Sequence, residues 1–559
     1  MSSSISIFEI PLLLKLICEN LDPEAIFACR RVCRTWDVLF SPYEWQSVKI
    51  VTATAYSCEL PDDEDFIPLH QNARLVRRLI LDNTRLFEPL LNPCTSWISL
   101  VSKTTEQRQD GTAPKSTETH DFVRLLSLTC DMVHRADGDQ DWAFKDHPTL
   151  LPALIQQNLG LLHLHLSKLD TSNADYNEVL FKAIGQHPSL TCLLYAISPD
   201  NTEIPRAVIQ QMLGWLPESL QTLRITTVEP PLLTEDVRTN EGTVAMHCRP
   251  TRLQTLDLNL EFRGCEETLL FPILQNCPQL TSFCLGDIND DMVQPLAKLL
   301  KEHCPKLVEL NFYWDSLDHW AVSDLILQGT AKNQLRSLGL NGWSSMVENP
   351  FNEEFFDILH SVLDHCGPML QALSIREGLR ISHDHYSEIL WKCPQLKELT
   401  LARPEDPFGR CYRAGLDCTT LQLLASRPWV CAQLEVLQLT AVIDYPKHPF
   451  DGEKSLESGR SQELATFIQH LGQLKCLREI HLGWMSFDNG PPPFFQAIEP
   501  FWDSLAQLSR LEKFLVRSYD MESGLPEEDQ PFKKQDRIEW IKEHWPRLVE
   551  IQELHISDE

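Results

Sequence analysis

A short apolar phrase, Leu-x-x-Leu-x-Leu, returns along most of the chain and constrains its fold more than any other feature. Between Leu253 and Leu335 the copies begin about 27 to 28 residues apart, and over the whole chain neighbouring copies begin about 26 to 47 residues apart. Such self-similarity predicts a stack of units, because each unit alone is too small to bury its apolar face. The candidate copies begin at Val76, Val123, Leu161, Leu190, Leu220, Leu253, Leu280, Leu307, Leu335, Leu370, Leu396, Leu434, Leu477, Leu511 and Leu548.

The copy that begins with Cys277-Pro278 shows what one unit contains. Its apolar phrase predicts a short strand, and residues 292–303 then carry apolar side chains at three- and four-residue steps, as an amphipathic helix does. Pro305 ends that helix. This unit resembles the cysteine-containing leucine-rich repeats, with Asp291 and Ala297 at their usual positions. We therefore expect an α/β fold, a curved solenoid with parallel strands on its concave face and helices on its convex face.

The N-terminal segment has a different organisation, which predicts three short helices. Pro11 suits the first turn of a helix, and apolar residues recur at helical steps up to Leu21. Asp22-Pro23-Glu24 starts a second helix, and Ser41-Pro42 ends a third. Helices this short bury little apolar surface, so part of that surface is expected to meet another chain. The buried face of the second helix is predicted to carry Ala25, Ile26, Cys29 and Val32.

The order of residues in this segment is Ile10-Pro11, Ile17, Leu21, Val32-Cys33-Arg34-x-Trp36 and Trp45. That order resembles the F-box, in which Leu-Pro, Ile, Leu, Val-Cys-Arg-x-Trp and a later Trp recur. With the repeats behind it, the chain resembles the F-box proteins with C-terminal leucine-rich repeats, of a fungal-like type. The resemblance implies that a Skp-family adaptor is contacted by Ile10, Pro11, Leu14, Ile17, Leu21, Val32, Cys33 and Trp36.

The resemblance also implies a domain organisation and a function. Residues 1–50 would be the F-box, and residues 51–559 a solenoid with irregular loop insertions. The chain would be the substrate-recognition adaptor of an SCF-type cullin-RING ubiquitin ligase: the F-box docks the Skp-family adaptor, and the repeats bind a protein substrate for ubiquitination and proteasomal degradation. The alternatives are a leucine-rich-repeat scaffold or inhibitor unconnected with ubiquitin, and a protein that stimulates a nucleotide hydrolase through Arg376.

Composition narrows the classes of partner. With 49 basic and 79 acidic residues the formal net charge is -30, which disfavours nucleic acid and favours a basic protein substrate. No apolar run approaches the length of about 20 residues that a membrane helix needs, and the start lacks the pattern of a signal peptide. We therefore expect no membrane association and a cytoplasmic or nuclear location.

The sequence contains no pattern typical of an enzyme or a metal site. It lacks a nucleophile elbow, a phosphate-binding glycine loop and an HExxH motif, so we expect no catalytic residues and no cofactor. The 18 cysteines include no CxxC pair and are expected to be free thiols. His163 and His165 alternate along one predicted strand but have no third ligand nearby, so we expect no metal there.

Residues that alternate with the buried leucines are predicted to line the concave face. In the regular middle of the chain they are polar and mildly acidic: Thr255, Asp257, Asn259, Glu309, Asn311, Tyr313, Ser337, Asn341, Arg376, Glu398 and Thr400. Three tryptophans just past the strands would stand on the rim as interface anchors, or else pack under the following loops. The candidate substrate-binding residues are Tyr313, Trp314, Trp343, Arg376 and Trp484.

Overall fold

The structure, a computed structural model, consists of two compact units. The first comprises Met1–Glu261 and Glu267–Gln279, and the second comprises Phe262–Glu266 and Leu280–Glu559. The predicted boundary between an F-box and a solenoid, at residue 50, stays a prediction. The residues that the structure describes are 17–18, 21, 23–44, 47–50, 78–81, 125–131, 150–169, 174–197, 203–226, 232–234, 251–260, 266–286, 288–314, 319–342, 353–376, 383–402, 419–420, 424–444, 455–486, 498–520 and 535–557.

The first unit is built on a parallel sheet whose strands follow one another in chain order. Its strands are β1 (Ser47–Ile50), β2 (Arg78–Leu81), β3 (Ser127–Asp131), β4 (His163–Leu169), β5 (Cys192–Ile197), β7 (Thr222–Thr226) and β9 (Thr255–Leu258). A separate parallel pair is formed by β6 (Glu203–Pro205) and β8 (Leu232–Thr234). The helices are α1 (Pro23–Arg30), α2 (Arg34–Glu44), α3 (Leu150–Gln157), α4 (Ala174–Gly185), α5 (Arg206–Gly214) and α6 (Phe271–Leu274), with a π-helical turn at Glu266–Leu270.

The second unit repeats the same arrangement. Its parallel strands are β10 (Ser282–Leu285), β11 (Glu309–Trp314), β12 (Ser337–Gly342), β13 (Ala372–Arg376), β14 (Glu398–Ala402), β15 (Thr419–Thr420), β16 (Val436–Asp444), β17 (Glu479–Ser486), β18 (Lys513–Asp520) and β19 (Glu550–Ser557). The helices are α7 (Val293–His303), α8 (His319–Gly329), α9 (Glu353–Cys366), α10 (His383–Lys392), α11 (Ser455–Gln473), α12 (Trp502–Leu505) and α13 (Gln535–His544), with 3-10 turns at Asp290–Met292, Gly367–Met369 and Glu499–Phe501.

Alternation along each strand places one side of each sheet in a core. In β5 the side chains of Leu193 and Tyr195 are buried, whereas Leu194 between them is only half-buried. Phe181 of α4 meets Tyr195 edge to face, with ring centroids 6.1 Å apart, so a helix covers the buried side of this strand. Both units are α/β leucine-rich-repeat solenoids, as the apolar phrase predicts.

Most of the residues that begin the copies are fully buried, although Leu548 is half-buried. Each of the following is at most 1% exposed: Leu161, Leu190, Leu220, Leu253, Leu280, Leu307, Leu335, Leu370, Leu396, Leu434, Leu477 and Leu511. Full burial of a leucine side chain stabilises the fold by about 1.5–3 kcal/mol, so this ladder is a principal contributor to the core of each unit.

One predicted copy was wrong in its starting residue. The copy before β3 begins at Leu125 and continues with Leu128 and Cys130, all of which are buried. The register confirms this choice, because Leu128 lies opposite Leu164 and Cys130 opposite Leu166 of β4. Val123, the predicted start, lies outside the described residues, and Leu126, which that choice would have buried, is 41% exposed.

Burial lowers the pKa of three histidines inside the repeats. His187 accepts the Ser189 amide at Nδ1, so its Nε2 carries the proton and donates to the Asn158 carbonyl at 2.9 Å. His470 lies within 3.3 Å of the Leu424 carbonyl through Nδ1. Burial lowers the pKa of His187, His365 and His470 below the ordinary histidine value, although a hydrogen bond at each raises it in part.

We expect acid to destabilise the protein through these histidines. A pKa that is lower in the folded chain means that the unfolded chain binds more protons, so stability is fully present above the ordinary value of about 6.5 and is lost as pH falls below it. The urea midpoint should fall between about pH 7.5 and pH 5.5. His470→Gln should make that fall smaller, and an equal dependence on pH in this variant and in the wild-type chain would contradict the assignment.

We expect Gly185→Ala to destabilise the first unit. Gly185 ends α4, and a Cβ there would overlap the Trp215 carbonyl oxygen, which is backbone and cannot swing away. Overpacking of this kind costs about 1–3 kcal/mol, although alanine is otherwise the better helix former. The matched control is Gly160→Ala, since a Cβ at Gly160 meets no atom within 4 Å. Urea unfolding monitored by circular dichroism should show a lower midpoint for Gly185→Ala alone.

Candidate functional site

The corner between α1 and α2 exposes an uninterrupted stretch of the chain. Residues 31–35 are all exposed, and Val32 retains 63% of its accessible surface. The corner is short because the Arg31 amide bonds to the Ala28 carbonyl and the Val32 amide to the Cys29 carbonyl, which closes the last turn of α1. We call residues 31–35 the helix corner. Val32 was predicted to lie on the buried face of the second helix, and that prediction was wrong because α1 ends at Arg30.

A small apolar core lies beneath the helix corner and orients it. Cys18, Ile26 and Phe40 are buried, and five neighbours pack partly buried against them: Leu21, Cys29, Trp36, Leu39 and Tyr43. The Trp36 and Phe40 rings lie 5.5 Å apart. The Val-Cys-Arg-x-Trp motif is therefore divided, with Val32 and Cys33 turned to solvent and Trp36 turned inward.

The predicted adaptor-facing residues fall into three groups in the structure. Val32 and Cys33 are exposed at the helix corner. Ile17, Leu21 and Trp36 are half-buried, and the last two pack on the helix core. Ile10, Pro11 and Leu14 lie outside the described residues. Contact of any of them with an adaptor stays a prediction.

The predicted substrate-binding residues are only partly brought together by the second unit. Tyr313 of β11 and Arg376 of β13 occupy one register row, with Asn341 between them. Trp314 is the last residue of β11, and Trp484 lies inside β17, so neither follows its strand as predicted. Five strand steps of about 4.8 Å separate β11 from β17, which places Trp484 far from Tyr313. Trp343 lies outside the described residues.

The side of the second unit's sheet that faces away from its buried leucines carries a row of carboxylates. Glu309, Glu398 and Glu550 are exposed in the first register row. Glu479 in the same row lies 3.7 Å from the Lys513 ammonium. On the next row Gly339 leaves room for the Asn311 side chain, which a Cβ at Gly339 would overlap. Asn259, predicted to line this kind of face in the first unit, is instead 7% exposed.

The corresponding side of the first unit's sheet has a different chemistry, which our sequence analysis missed. Its central strands carry histidine, arginine and hydroxyl groups, and β9 adds the carboxylate of Asp257. We call this surface the open face of the first unit, and on β4, β5 and β7 it consists of His163, His165, Ser167, Cys192, Leu194, Ala196, Thr222, Arg224 and Thr226. A count of charges at alternate positions in the copies that begin at Leu161 and Leu220 would have revealed it.

Within the described residues we find no group of three or more potential ligands arranged to hold a metal ion. His165 instead shares a hydrogen bond of 3.3 Å with the Ser167 hydroxyl. Over the same part of the chain, no helix is both long enough and apolar enough to cross a membrane.

Comparisons with known proteins give only weak similarities to solved structures. No family model and no curated protein matches this chain. The crystal structure of the leucine-rich repeat-containing protein LegL7 from Legionella pneumophila is 16% identical, covering 50% of this chain and 83% of that chain with a TM-score of 0.28. The crystal structure of the Rad7 and Elc1 complex in yeast is 14% identical, covering 71% of this chain and 80% of that chain with a TM-score of 0.33. The fold assignment therefore rests on the register and burial described above.

We expect Cys33 to react with N-ethylmaleimide in the native chain while core cysteines are protected. Cys33 is exposed at the helix corner, whereas Cys130 and Cys304 are buried, and burial raises the pKa of Cys304 to about 12. Peptide mass spectrometry after a short exposure should show labelling of Cys33 at least about tenfold faster than of either core thiol, which must wait for local opening. In urea all three should react alike. Protection of Cys33 in the native chain would contradict the exposed corner.

Proposed function

We propose that the chain is the non-catalytic substrate-recognition subunit of an SCF-type ubiquitin ligase. The helix corner docks a Skp-family adaptor, which connects the chain to the cullin-RING machinery, and the solenoid binds a protein substrate. One observation carries the proposal: the divided Val-Cys-Arg-x-Trp motif. Its tryptophan packs against the small apolar core of the helices, while its valine and cysteine are exposed to solvent on a short corner.

An exposed apolar side chain gains free energy when a partner covers it. Burial of a valine contributes about 1.5 kcal/mol, and the neighbouring exposed residues of the corner would surround it at an interface. Val32 is surrounded on the chain by groups that can form the polar rim of such a contact, Arg31 and Arg34 among them. This combination of an apolar centre and a charged rim is typical of a protein-binding surface.

The charge of the helix corner favours an acidic partner surface. From Ala28 to Trp36 the chain carries three arginines and no acidic residue, although its formal net charge is -30. Opposite charges accelerate association and orient the encounter, and salt weakens this effect. The adaptor complex should therefore form more slowly as ionic strength rises.

The solenoid provides the surface for the second partner. Stacked repeats present an extended row-by-row face on the side opposite their helices, and such faces commonly bind proteins. The role of Tyr313, Trp314, Arg376 and Trp484 in substrate binding is part of the proposal. No residue is assigned a catalytic role, since the ubiquitin-transfer chemistry would belong to the associated subunits.

We expect Val32→Asp to weaken the complex with a co-expressed Skp-family adaptor by at least about tenfold, because it removes apolar burial and places a charge in the interface. The matched control is Leu159→Asp, in the turn before β4. Leu159 is 62% exposed, as Val32 is 63% exposed, so both variants replace an equally exposed apolar side chain. Affinity measured by biolayer interferometry should be unchanged in the control.

The outcome that contradicts adaptor docking is the absence of a complex with folded wild-type chain, or an equal loss of affinity in both variants. Circular dichroism should first show the same melting for all three proteins. A second assay separates the ligase subunit from a scaffold or inhibitor. In a reconstituted system with cullin and RING subunits, the wild-type chain should promote ubiquitin transfer to proteins that it captures, and Val32→Asp should not. Adaptor binding without transfer would favour the scaffold.

A further inference from the structure

The open face of the first unit differs in charge from the rest of the chain. Acidic residues outnumber basic ones by 79 to 49 overall. On this face Arg78, His163 and Arg224 are exposed. Among the side chains that the structure describes there, Asp257 carries the carboxylate. Asp131, at the end of β3, pairs with Ser167 at the margin of the face. Two arginines against Asp257 give this face a positive formal charge, and the charge is zero if Asp131 is included. The rest of the protein is strongly acidic.

The register places a histidine and an arginine on either side of an uncharged strand. His165 of β4 lies opposite Leu194 of β5, which lies opposite Arg224 of β7. The neighbouring rows put Cys192 and Ala196 on β5, so this strand offers no formal charge between the two donors. Two strand steps span about 10 Å, a gap that an imidazole and a guanidinium can close from both sides around one oxyanion. The hydroxyls of Thr222 and Thr226 flank Arg224 on its own strand.

The Arg224 guanidinium is available for such a contact. It makes no ion pair or hydrogen bond with any residue that the structure describes. Its charge also acts on the neighbouring strand β5. Burial raises the pKa of the Cys192 thiol there, and the positive charge of Arg224 lowers it in part. Arginine stays protonated at all physiological pH values and pairs with carboxylates through two parallel hydrogen bonds. Asp257 lies opposite Arg224 on β9 and is not without a partner.

We propose that the open face of the first unit binds an extended acidic segment of a protein partner, with one carboxylate seated over Leu194 between His165 and Arg224. This inference deepens the proposed function, on which it rests, by naming the chemistry of the segment that the solenoid recognises. It revises the expectation of a basic substrate, which took account of the net charge alone. Among the strands that the structure describes in the second unit, the row that corresponds to His165 and Arg224 carries no arginine, and the row two residues earlier carries the exposed carboxylates of Glu309, Glu398 and Glu550.

The test uses the full chain and a fluorescein-labelled peptide of alternating glutamate and serine, followed by fluorescence anisotropy at low salt. The matched probe is the same peptide with glutamine in place of glutamate. The wild-type chain should bind the glutamate peptide at least about tenfold more tightly than the glutamine peptide, because only the former pairs with Arg224. Equal affinity for the two peptides, or no binding of either, would overturn the proposal.

Variants locate the site. Arg224→Gln should weaken binding of the glutamate peptide by about tenfold, within the range of a charged hydrogen-bonded pair. The control is Arg252→Gln, which removes an exposed arginine in the turn before β9 and should change nothing. Thr226→Glu adds a carboxylate beside Arg224 at an exposed position and should also weaken binding. An equal effect of Arg252→Gln would show that the overall charge of the chain controls the affinity, and would refute this site.

The two proposals fail separately. Peptide binding is measured without the adaptor, and adaptor binding is measured with Val32→Asp, on the helix corner. A chain that binds the glutamate peptide but no adaptor would sink the ligase function and leave the acidic-segment site standing. A chain that binds the adaptor but neither peptide would do the reverse.

Discussion

Residue-for-residue register between neighbouring parallel strands is the constraint on which the rest of the structure depends. Leu310 lies opposite Phe283 on one side and Leu338 on the other, so the buried apolar residues of neighbouring strands meet one another. The turn before each strand joins the same ladder, since the amides of Val308 and Glu309 both bond to the Thr281 carbonyl. A strand cannot slip by one residue without turning its leucines to solvent. Packing of the core and pairing of the backbone therefore select the same arrangement.

The same register organises the surface into rows. Side chains at one repeat position lie about 4.8 Å apart from strand to strand, so their charges act together on anything that lies along the row. In the second unit a row gathers Glu309, Glu398 and Glu479, while in the first unit a row aligns His165 with Arg224. The net charge of -30 is an average that conceals these local differences. A change at one position of one repeat is enough to alter what a row can bind.

The apolar phrase predicted the repeat and most starting leucines, because a position that is at most 1% exposed strongly favours an apolar side chain. It was ambiguous before β3, where Val123-Leu126-Leu128 fits as well as Leu125-Leu128-Cys130, and pairing with β4 decides between them. Strand length was also hidden: β10 has four residues and β17 has eight. β17 can extend because β16 and β18, which pair with it, are also long, and the sequence of β17 alone does not show this. The open face of the first unit lies in weaker copies of the phrase, where the sequence alone defines the alternate positions less clearly.

An acidic protein can bind an acidic segment because long-range repulsion between like charges and short-range pairing of opposite charges act over different distances. At physiological salt the field of distant carboxylates decays within about 8 Å, whereas a guanidinium in direct contact with a carboxylate is hardly screened. Long-range repulsion then lowers the rate of encounter, and short-range pairing at Arg224 sets the rate of dissociation. A face that is locally positive can thus bind a segment that the rest of the surface repels. The repulsion also increases selectivity. An acidic chain that cannot place a carboxylate between His165 and Arg224 is repelled without a compensating contact.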